Sequence, residues 1–407
     1  MMIELHGAGF HNKGAQLMLL TVIRELSRRL PGARFCVEPG CDRSYEDRAS
    51  YGLYNLIPDR DGHSLLQRSA RAVARVAAKG LGRSKLANYG LTRRDDCAAM
   101  IDISGYAFGD GWPAEACNRF YRRASVYARS GRPVIMLPQM FGPFRKPDVR
   151  AAFGRVASTA SLIYARDQVS LEAVHNVTGP DPRLQMAPDI TIFTPAEPQA
   201  QPPVAQDPYV CLVPNIRMLD QGDADWGASY LDLLVAAGTQ VVDAGHRVLL
   251  LVHDAAGKDA GLAEQIAERI GGDRTQLCVE KDPLVAKAII ANSLFLVGSR
   301  FHSIVGALST AVPAIILGWA HKYDALAADF GVEELVQQPP DPSEHLRRRI
   351  ERLLDTRERS QLTDQLSQAK QAMASANEAM WQAVVETVNY KAETWPSEQA
   401  NQPKEVA

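Results

Sequence analysis

A proline-rich stretch, TPAEPQAQPPVAQDP at residues 194–208, divides the chain into two parts that repeat one pattern. Its five prolines and its lack of apolar periodicity exclude a packed element, so we interpret it as a linker. On both sides, short apolar or β-branched runs alternate with longer segments of helical periodicity, which is typical of a parallel sheet covered by helices. The sequence therefore predicts an α/β protein with two doubly wound, Rossmann-like domains at residues 1–193 and 209–336.

Each predicted domain contains five candidate strands. Those of the first domain are 2–8, 33–38, 99–104, 132–138 and 161–165. Those of the second domain are 209–215, 246–253, 276–280, 294–299 and 313–318. The predicted helices are 14–30, 115–130, 228–244, 258–271, 283–292 and 303–310. In open α/β sheets ligands bind at the carboxyl ends of the strands, so we expect the site in a cleft where the two sheets face each other.

A polar helical tail is predicted at residues 337–392, and residues 393–407 are predicted to be disordered. The leucines and methionines of the tail are too sparse for a core helix. We nevertheless expect Met380, Trp381, Val384 and Val385 to be able to pack back onto a domain.

Composition excludes several classes of protein. The 407 residues carry a formal net charge of −2, which gives no reason to expect nucleic acid as a partner. The six cysteines form neither a C-x-x-C pair nor a disulfide-like spacing, so we expect reduced thiols and no structural zinc site. The opening segment MMIELHGAGFHNKG becomes polar within a few residues. No apolar run approaches the length of a membrane span. We therefore expect a cytoplasmic protein.

One segment has a strong local charge. Residues 64–94 contain eight lysines or arginines and no acidic residue. Apolar residues lie between several of the arginines, a pattern compatible with peripheral contact with anionic lipids at the inner face of the membrane. A solvated helix face or a loop explains the same pattern.

Cationic or titratable side chains follow three predicted strands. Arg166 follows the strand 161–165, Arg300 and His302 follow 294–299, and Lys322 follows 313–318. A buried arginine needs a carboxylate or a bound anion. An ion pair with Asp167, a helix-cap pair or a satisfied core histidine would explain these residues one by one. Taken together, and with no carboxylate in residues 294–322, they indicate an anionic ligand.

The first glycine-rich turn, GAGFHNKGA at residues 7–15, does not match a nucleotide-binding motif. A third glycine is absent from the G-x-G-x-x-G spacing, and no G-K-[S/T] follows. Asn12 and Lys13 remain beside a predicted helix N-terminus, where they form either an anion or hydroxyl site or a plain N-cap.

Several motifs resemble those of the polysaccharide pyruvyl transferase family. They are NKGAQLML, LPQMFGPF, YARDQVS, APDI, SRFHSIVGAL and GWAHKYDAL, in the order of the family, between about residues 3 and 331. The resemblance does not include the basic segment or the tail. It implies a two-domain fold similar to GT-B glycosyltransferases. It also implies transfer of pyruvate from phosphoenolpyruvate to two hydroxyls of a sugar, as a cyclic ketal with release of phosphate, without a metal or other cofactor.

The resemblance maps the essential arginine, histidine and lysine of the family onto Arg166, His302 and Lys322, with Arg300 beside them. We assign Arg166 and Arg300 to the phosphate and carboxylate of phosphoenolpyruvate, because the arginine fork binds both groups bidentately. Lys322 is assigned to the charge on the leaving phosphate. His302 is the candidate proton carrier, since histidine titrates near neutral pH.

The acceptor sugar, free or lipid-linked, is expected to meet the first domain. In SGYAFGDGW, Tyr106, Phe108 and Trp112 offer stacking surfaces, and Asp110 is a candidate catalytic acceptor of hydroxyl hydrogen bonds. Aromatic residues that only cover the sheet would give the same pattern. Secondary candidates are Asn12, Lys13, Gln139, Arg217 and His321. The lone histidines His6, His11 and His253 remain alternative bases.

Two other functions remain open from the sequence. A GT-B nucleotide-sugar glycosyltransferase would need a strand-end carboxylate for the ribose, and no E-x-x-E pair follows residues 298–318. A catalytically silent sugar-binding protein would make the polar tail an interaction element.

Overall fold

The computed structural model describes residues 1–40, 44–57, 80–197, 207–220, 224–227, 229–254, 259–318, 320–337 and 343–394. Within them the chain forms two parallel sheets with helices between successive strands, as the sequence predicts. Residues 198–206 of the predicted linker and residues 395–407 of the predicted disordered end lie outside the described residues.

The first sheet has eight strands in the order β4-β3-β2-β1-β5-β6-β7-β8. These strands are β1 (Met2–His6), β2 (Arg34–Val37), β3 (Tyr54–Leu56), β4 (Leu91–Thr92), β5 (Cys97–Asp102), β6 (Val134–Gln139), β7 (Leu162–Ala165) and β8 (Leu184–Met186). The helices of this part are α1 (Lys13–Arg29), α2 (Tyr45–Ser50), α3 (Arg83–Asn88), α4 (Ala114–Arg129), α5 (Pro147–Thr159) and α6 (Gln168–Thr178). The central strands are buried, as expected for a parallel sheet covered on both faces.

The second sheet has six strands in the order β11-β10-β9-β12-β13-β14. They are β9 (Tyr209–Val213), β10 (Arg247–Val252), β11 (Thr275–Val279), β12 (Leu296–Gly298), β13 (Ala314–Leu317) and β14 (Val336–Gln337). Its helices are α7 (Arg217–Asp220), α8 (Ala224–Gly227), α9 (Tyr230–Asp243), α10 (Asp259–Ile270), α11 (Pro283–Ala291), α12 (Phe301–Ser309) and α13 (His321–Phe330).

The tail forms three helices, α14 (Ser343–Leu354), α15 (Thr356–Ala372) and α16 (Ala374–Thr394). The expectation that the leucines and methionines of the tail are too sparse for a core helix is wrong, whereas the expected packing of Met380, Trp381, Val384 and Val385 onto a domain is confirmed. Leu346, Ile350, Leu353, Leu362 and Leu366 join the core of the second sheet. Met380, Trp381, Val384 and Val388 join the core of the first sheet. A few apolar positions per helix suffice, because each helix buries one narrow stripe.

Direct contacts join the two halves of the chain beside the sheets. The backbone N–H of Lys13 donates to the carbonyl of His253 at 3.3 Å, and Asn12 forms an isolated bridge with Asp254. Lys287 Nζ, from helix α11, donates to the carbonyls of Thr191 and Thr194 at 2.8 and 2.6 Å. These contacts hold the N-terminal end of α1 against the second sheet.

Much of the basic segment 64–94 falls outside the described residues, and its described end has structural partners. Arg83 and Arg93 pair with Asp96, at 2.6 and 2.8 Å. Arg94 is buried and pairs with the buried Glu4 at 3.0 Å. These three cations therefore stabilise the first domain locally. Within the described parts of the chain, no helix combines the length and the apolar character needed to cross a bilayer.

Candidate active site

Arg166 lies directly after β7 with its side chain buried to 6% exposure. Its Nη1 donates to Asp189 Oδ2 at 2.9 Å, and its guanidinium lies 4.2 Å from the centre of the Phe301 ring. The partner is thus Asp189, from the loop after β8, and not the adjacent Asp167. Asp167 instead accepts from the Ser170 N–H at 2.7 Å and caps helix α6. The stacking on Phe301 brings the first-domain arginine against the second domain.

Arg300 follows β12 and is held by two carboxylates of the second domain. Its Nε donates to Asp259 Oδ2 at 2.8 Å, and its Nη2 lies 3.3 Å from Asp254 Oδ2. Residues 294–322 contain no carboxylate, and the two carboxylates that pair with Arg300 come instead from the segment after β10. The absence of a carboxylate nearby in the sequence therefore does not leave Arg300 without a protein partner, and the two carboxylates fix the plane of its guanidinium.

Lys322, at the start of α13, completes a cluster of three cations. Its Nζ lies 5.3 Å from the ring centre of Phe301 and 5.9 Å from that of Tyr106, which belongs to the first domain. Burial, together with the charges of Arg166 and Arg300, lowers the pKa of Lys322 to about 7. The carboxylates that hold the arginines do not remove this positive potential.

His302 sits between the two domains, with its Nε2 3.6 Å from Asp189 Oδ2. Its ring packs so closely on the N-terminal end of α1 that a Cβ on Gly14 would lie 2.1 Å from His302 Nδ1. Burial alone would raise the pKa of Asp189, but His302 and Arg166 lower it well below its usual range. The Asp189 carboxylate is therefore ionised and links the candidate proton carrier to Arg166.

Two further histidines lie close to the cluster. His321 Nε2 is 3.8 Å from Asp167 Oδ1, and burial lowers its pKa despite that carboxylate. Burial lowers the pKa of His253 well below its ordinary value, and Arg300, His302 and Lys13 lower it further. His253 is thus neutral at neutral pH, whereas the exposed His11 forms no part of the cluster.

Asn12 and Lys13 have structural roles at the start of α1. Asn12 Oδ1 accepts from the Gly14 N–H at 2.9 Å, which is the plain N-cap considered from the sequence. The buried Lys13 donates from Nζ to Gln16 Oε1 at 2.9 Å and to the carbonyl of Lys281 in the second domain. Both residues therefore fix α1 in place beside His302.

Some of the candidate acceptor residues line a pocket, and others are buried or already hydrogen-bonded. Tyr106 and Trp112 line a pocket of about 380 Å³, with their ring centres 6.0 Å apart. Phe108 also reaches the pocket, but it is 1% exposed and packs in an aromatic core cluster, so it offers no free stacking face. The carboxylate of Asp110 accepts from the backbone N–H groups of Arg145 and Lys146 at 2.9 and 3.1 Å, which engages both of its oxygens.

The remaining candidates are Gln139 and Arg217. Gln139 is the last residue of β6, is fully buried and donates to Asp102 Oδ2 at 2.6 Å. Arg217 begins helix α7 with an exposed side chain, and its backbone N–H donates to Asn215.

Four carboxylates at the site were not expected from the sequence: Asp102, Asp189, Asp254 and Asp259. Asp189 stands in the motif APDI, which is the one sequence signal that could have found it. Among the residues that the structure describes, no three His, Cys, Asp or Glu side chains are grouped to hold a metal ion.

A sequence model of the polysaccharide pyruvyl transferase family matches residues 12–321. The chain belongs to this family. The matched range includes Arg166, Arg300, His302 and His321, and Lys322 lies one residue beyond it. Family membership indicates a pyruvyl transferase. No curated protein sequence is similar enough to count as a relative.

The pyruvyl transferase chain shares its fold with solved structures of low sequence identity. S. aureus MnaA in a co-structure with UDP is 10% identical, with a TM-score of 0.60 and coverage of 100% of this chain and 99% of that chain. UDP-GlcNAc 2-epimerase from Neisseria meningitidis, bound to UDP-GlcNAc, is 12% identical, with a TM-score of 0.58 and coverages of 92% and 99%. Anabaena HepE, in complex with UDP and glucose, is 15% identical, with a TM-score of 0.55 and coverages of 96% and 99%. The fold is therefore GT-B, as the resemblance implied.

Proposed function

We propose that this family member transfers pyruvate from phosphoenolpyruvate to two hydroxyls of a sugar in a polysaccharide or its precursor, forming a cyclic ketal and releasing phosphate. The observation that carries the proposal is the meeting of Arg166 from the first domain with Arg300 and Lys322 from the second, beside His302. A small anionic ligand suits such a cluster, because the charges of Arg166 and Arg300 still lower the pKa of Lys322 although carboxylates pair with both arginines.

Phosphoenolpyruvate places a phosphate and a carboxylate close to the same carbon atom, C2. Arg166 and Arg300 are held in fixed planes by Asp189 and by Asp254 and Asp259, so the guanidinium N–H groups that these carboxylates do not engage have a fixed direction. Lys322 would gain a full charge when the anion binds, because the anion opposes the effects that lower its pKa.

The reaction has two bond-forming steps. In the first, a sugar hydroxyl attacks C2 and loses its proton, while C3 gains a proton and becomes a methyl group. In the second, another hydroxyl attacks C2, the bond from C2 to the phosphate oxygen breaks, and the second proton leaves with the phosphate. Lys322 and the arginines stabilise the charge that develops on the leaving phosphate.

His302 is proposed as the group that delivers the proton to C3. Its Nε2 lies 3.6 Å from Asp189 Oδ2, which places the candidate proton carrier beside a carboxylate. The same contact orients the ring. The enzyme so proposed needs no cofactor and works in the cytoplasm, and peripheral membrane contact through residues 64–94 would suit a lipid-linked acceptor.

A nucleotide-sugar glycosyltransferase is the alternative that the fold favours, since HepE, MnaA and the N. meningitidis epimerase were solved with UDP or UDP-GlcNAc. Such an enzyme needs a carboxylate that is available to the ribose. Asp254 and Asp259 follow β10 in the second domain, and both are engaged with Arg300. This use of the carboxylates supports an arginine-bound anion rather than a ribose.

The test is thermal unfolding of the purified protein with phosphoenolpyruvate, UDP, GDP or inorganic phosphate. We expect phosphoenolpyruvate to raise the Tm most. Arg300→Lys should weaken this ligand at least tenfold, because lysine cannot keep the paired contacts of the fork. Arg269→Lys, in an exposed ion pair with Asp232, is the matched control and should leave binding unchanged.

Other results would replace the proposal. A Tm shift with UDP or GDP and none with phosphoenolpyruvate would identify a glycosyltransferase. His302→Gln should keep the phosphoenolpyruvate shift and lose turnover. A wild-type protein that binds sugar but never releases phosphate from phosphoenolpyruvate would instead be a catalytically silent binding protein.

A further inference from the structure

We propose that His6, oriented by the buried Asp102, is the general base that takes the proton of the attacking hydroxyl, and that the adjacent pocket holds one hexopyranose ring of the acceptor. This inference rests on the proposed pyruvyl transfer. It gives the two domains separate proton tasks, with the base at the end of β1 and the acid at the start of α12.

His6 and Asp102 end the neighbouring strands β1 and β5 and form an aspartate–histidine pair. His6 Nδ1 lies 2.9 Å from Asp102 Oδ1. The Asp102 side chain is fully buried and accepts two more hydrogen bonds, from Ser104 Oγ at 2.6 Å and from Gln139 Nε2 at 2.6 Å. Because Ser104 and Gln139 both donate to it, the carboxylate is also placed to accept from the His6 ring.

This arrangement fixes the tautomer of the imidazole. An ionised carboxylate only accepts, so the hydrogen on the His6 ring lies on Nδ1, and Nε2 keeps a free electron pair. The ring packs edge-on against Phe120, with centroids 5.0 Å apart, which restricts its rotation. The side chain is 21% exposed and lines the 380 Å³ pocket. An imidazole held in this way at a pocket wall has the geometry of a general base.

The pocket suits a sugar ring. Its volume of about 380 Å³ is within the range of small-ligand sites, ~300–1,000 Å³. Tyr106 and Trp112 supply aromatic surface, and Trp112 is 43% exposed. Three charged residues that can bond sugar hydroxyls also line the pocket, Glu38, Arg119 and Arg123, and Arg123 donates to Glu38.

Tyr106 connects the pocket with the cations. Its ring lines the pocket on one side and lies 5.9 Å from Lys322 Nζ on the other. A sugar stacked in the pocket therefore lies next to phosphoenolpyruvate bound by the cation cluster. His6 lies on the wall of the same pocket, beside this acceptor sugar.

The proton balance of the step is complete. The hydroxyl oxygen forms a bond to C2, its proton moves to His6 Nε2, and the electron pair of the C2–C3 double bond takes a proton at C3 from His302. His6 then returns its proton to water, and His302 regains one from water. The second hydroxyl proton departs with phosphate.

The experiment measures phosphate release from phosphoenolpyruvate with a panel of p-nitrophenyl hexopyranosides, using wild type, His6→Gln, Asp102→Asn and the control His175→Gln. His175 is an exposed histidine on α6 that does not line the pocket. We expect kcat to fall at least about 100-fold in His6→Gln, in line with the loss of a general base. The Tm shift with phosphoenolpyruvate should be unchanged, and the control should behave as wild type.

Asp102 is a positioning residue, so its variant needs a different readout. Asp102→Asn should lower kcat with an unchanged KM for phosphoenolpyruvate, because the wrong tautomer then faces the pocket. His6→Ala should recover part of its activity with added imidazole, which a purely structural histidine would not show.

Each outcome separates this inference from the proposed function. Wild-type kcat in His6→Gln, or a wild-type protein that binds phosphoenolpyruvate but accepts none of the hexopyranosides, would overturn the inference and leave pyruvyl transfer standing. A wild-type protein that does not bind phosphoenolpyruvate would overturn both.

Discussion

The charge state of a single lysine controls how the cation cluster responds to pH. Burial and two arginines lower the pKa of Lys322 to about 7, so in the empty site the side chain is half neutral near pH 7. An anion binds the charged form. Above pH 7 the charged fraction of a group with this pKa falls tenfold for each pH unit.

We therefore predict that the Kd of phosphoenolpyruvate rises by up to about tenfold per pH unit above pH 7, with uptake of one proton on binding. Lys322→Arg, which stays charged throughout, should remove this slope. Isothermal titration calorimetry between pH 7 and 9, in buffers of different ionisation enthalpy, measures both quantities. A flat Kd and no proton uptake in the wild type would contradict the lowered pKa.

The three cations could be predicted from the sequence, but the carboxylates that pair with the two arginines could not. Arg166, Arg300 and Lys322 were recognisable because each follows a predicted strand. Their carboxylates are far away in sequence: Asp189 is 23 residues from Arg166, and Asp259 is 41 residues from Arg300. Only the strand order brings these side chains together. The His6–Asp102 pair, separated by 96 residues, stayed hidden for the same reason.

The N-terminal end of helix α1 packs directly against the side chain of His302. An added Cβ on Gly14 would lie 2.1 Å from His302 Nδ1 and 2.9 Å from its Cβ, so rotation of the imidazole alone cannot remove the clash. The glycine therefore permits the close approach of the two domains at the proton carrier.

Gly14→Ala should lower kcat at least tenfold and cost about 1–3 kcal/mol of unfolding free energy, because overpacking displaces His302 and α1. The control is Gly261→Ala in helix α10, where an added Cβ meets nothing within 4 Å. This control should keep kcat and gain about 0.4–1 kcal/mol. Urea unfolding and steady-state kinetics measure both effects. Equal kcat values in the two variants would contradict the importance of the packing between Gly14 and His302.

The strands were predicted unevenly, for a physical reason. Long buried runs such as those of β6 and β10 gave a clear apolar signal. The strands at or next to the edges of the sheets, β3, β4, β8 and β14, have two or three residues each, and in β8 two of the three residues are exposed. Such short strands bury too few side chains to leave a periodic pattern, so their pairing depends on the sheet that is already present.

The C-terminal tail packs on the hydrophobic cores of both domains. Helices α14 and α15 pack on the second domain, and α16 then packs on the first, where Trp381 is 1% exposed. Arg29 of α1 also pairs with Glu378 of α16 at 2.6 Å. The tail thus spans the same two domains whose side chains form the cation cluster, and it contributes to their alignment.

Trp381→Ala should therefore affect both stability and the site. Removal of a buried tryptophan leaves a cavity and costs about 3–5 kcal/mol of unfolding free energy. Because Arg166 lies in the first domain and Arg300 in the second, a loosened α16 should also raise the Kd of phosphoenolpyruvate. Tyr390→Ala, an aromatic variant of the same helix at a position that is 65% exposed, should change neither quantity. Urea unfolding and calorimetry of both variants are the measurements. A destabilised Trp381→Ala protein with wild-type affinity would mean that the tail supports the first core alone, and that the contacts of α1 suffice to align the domains.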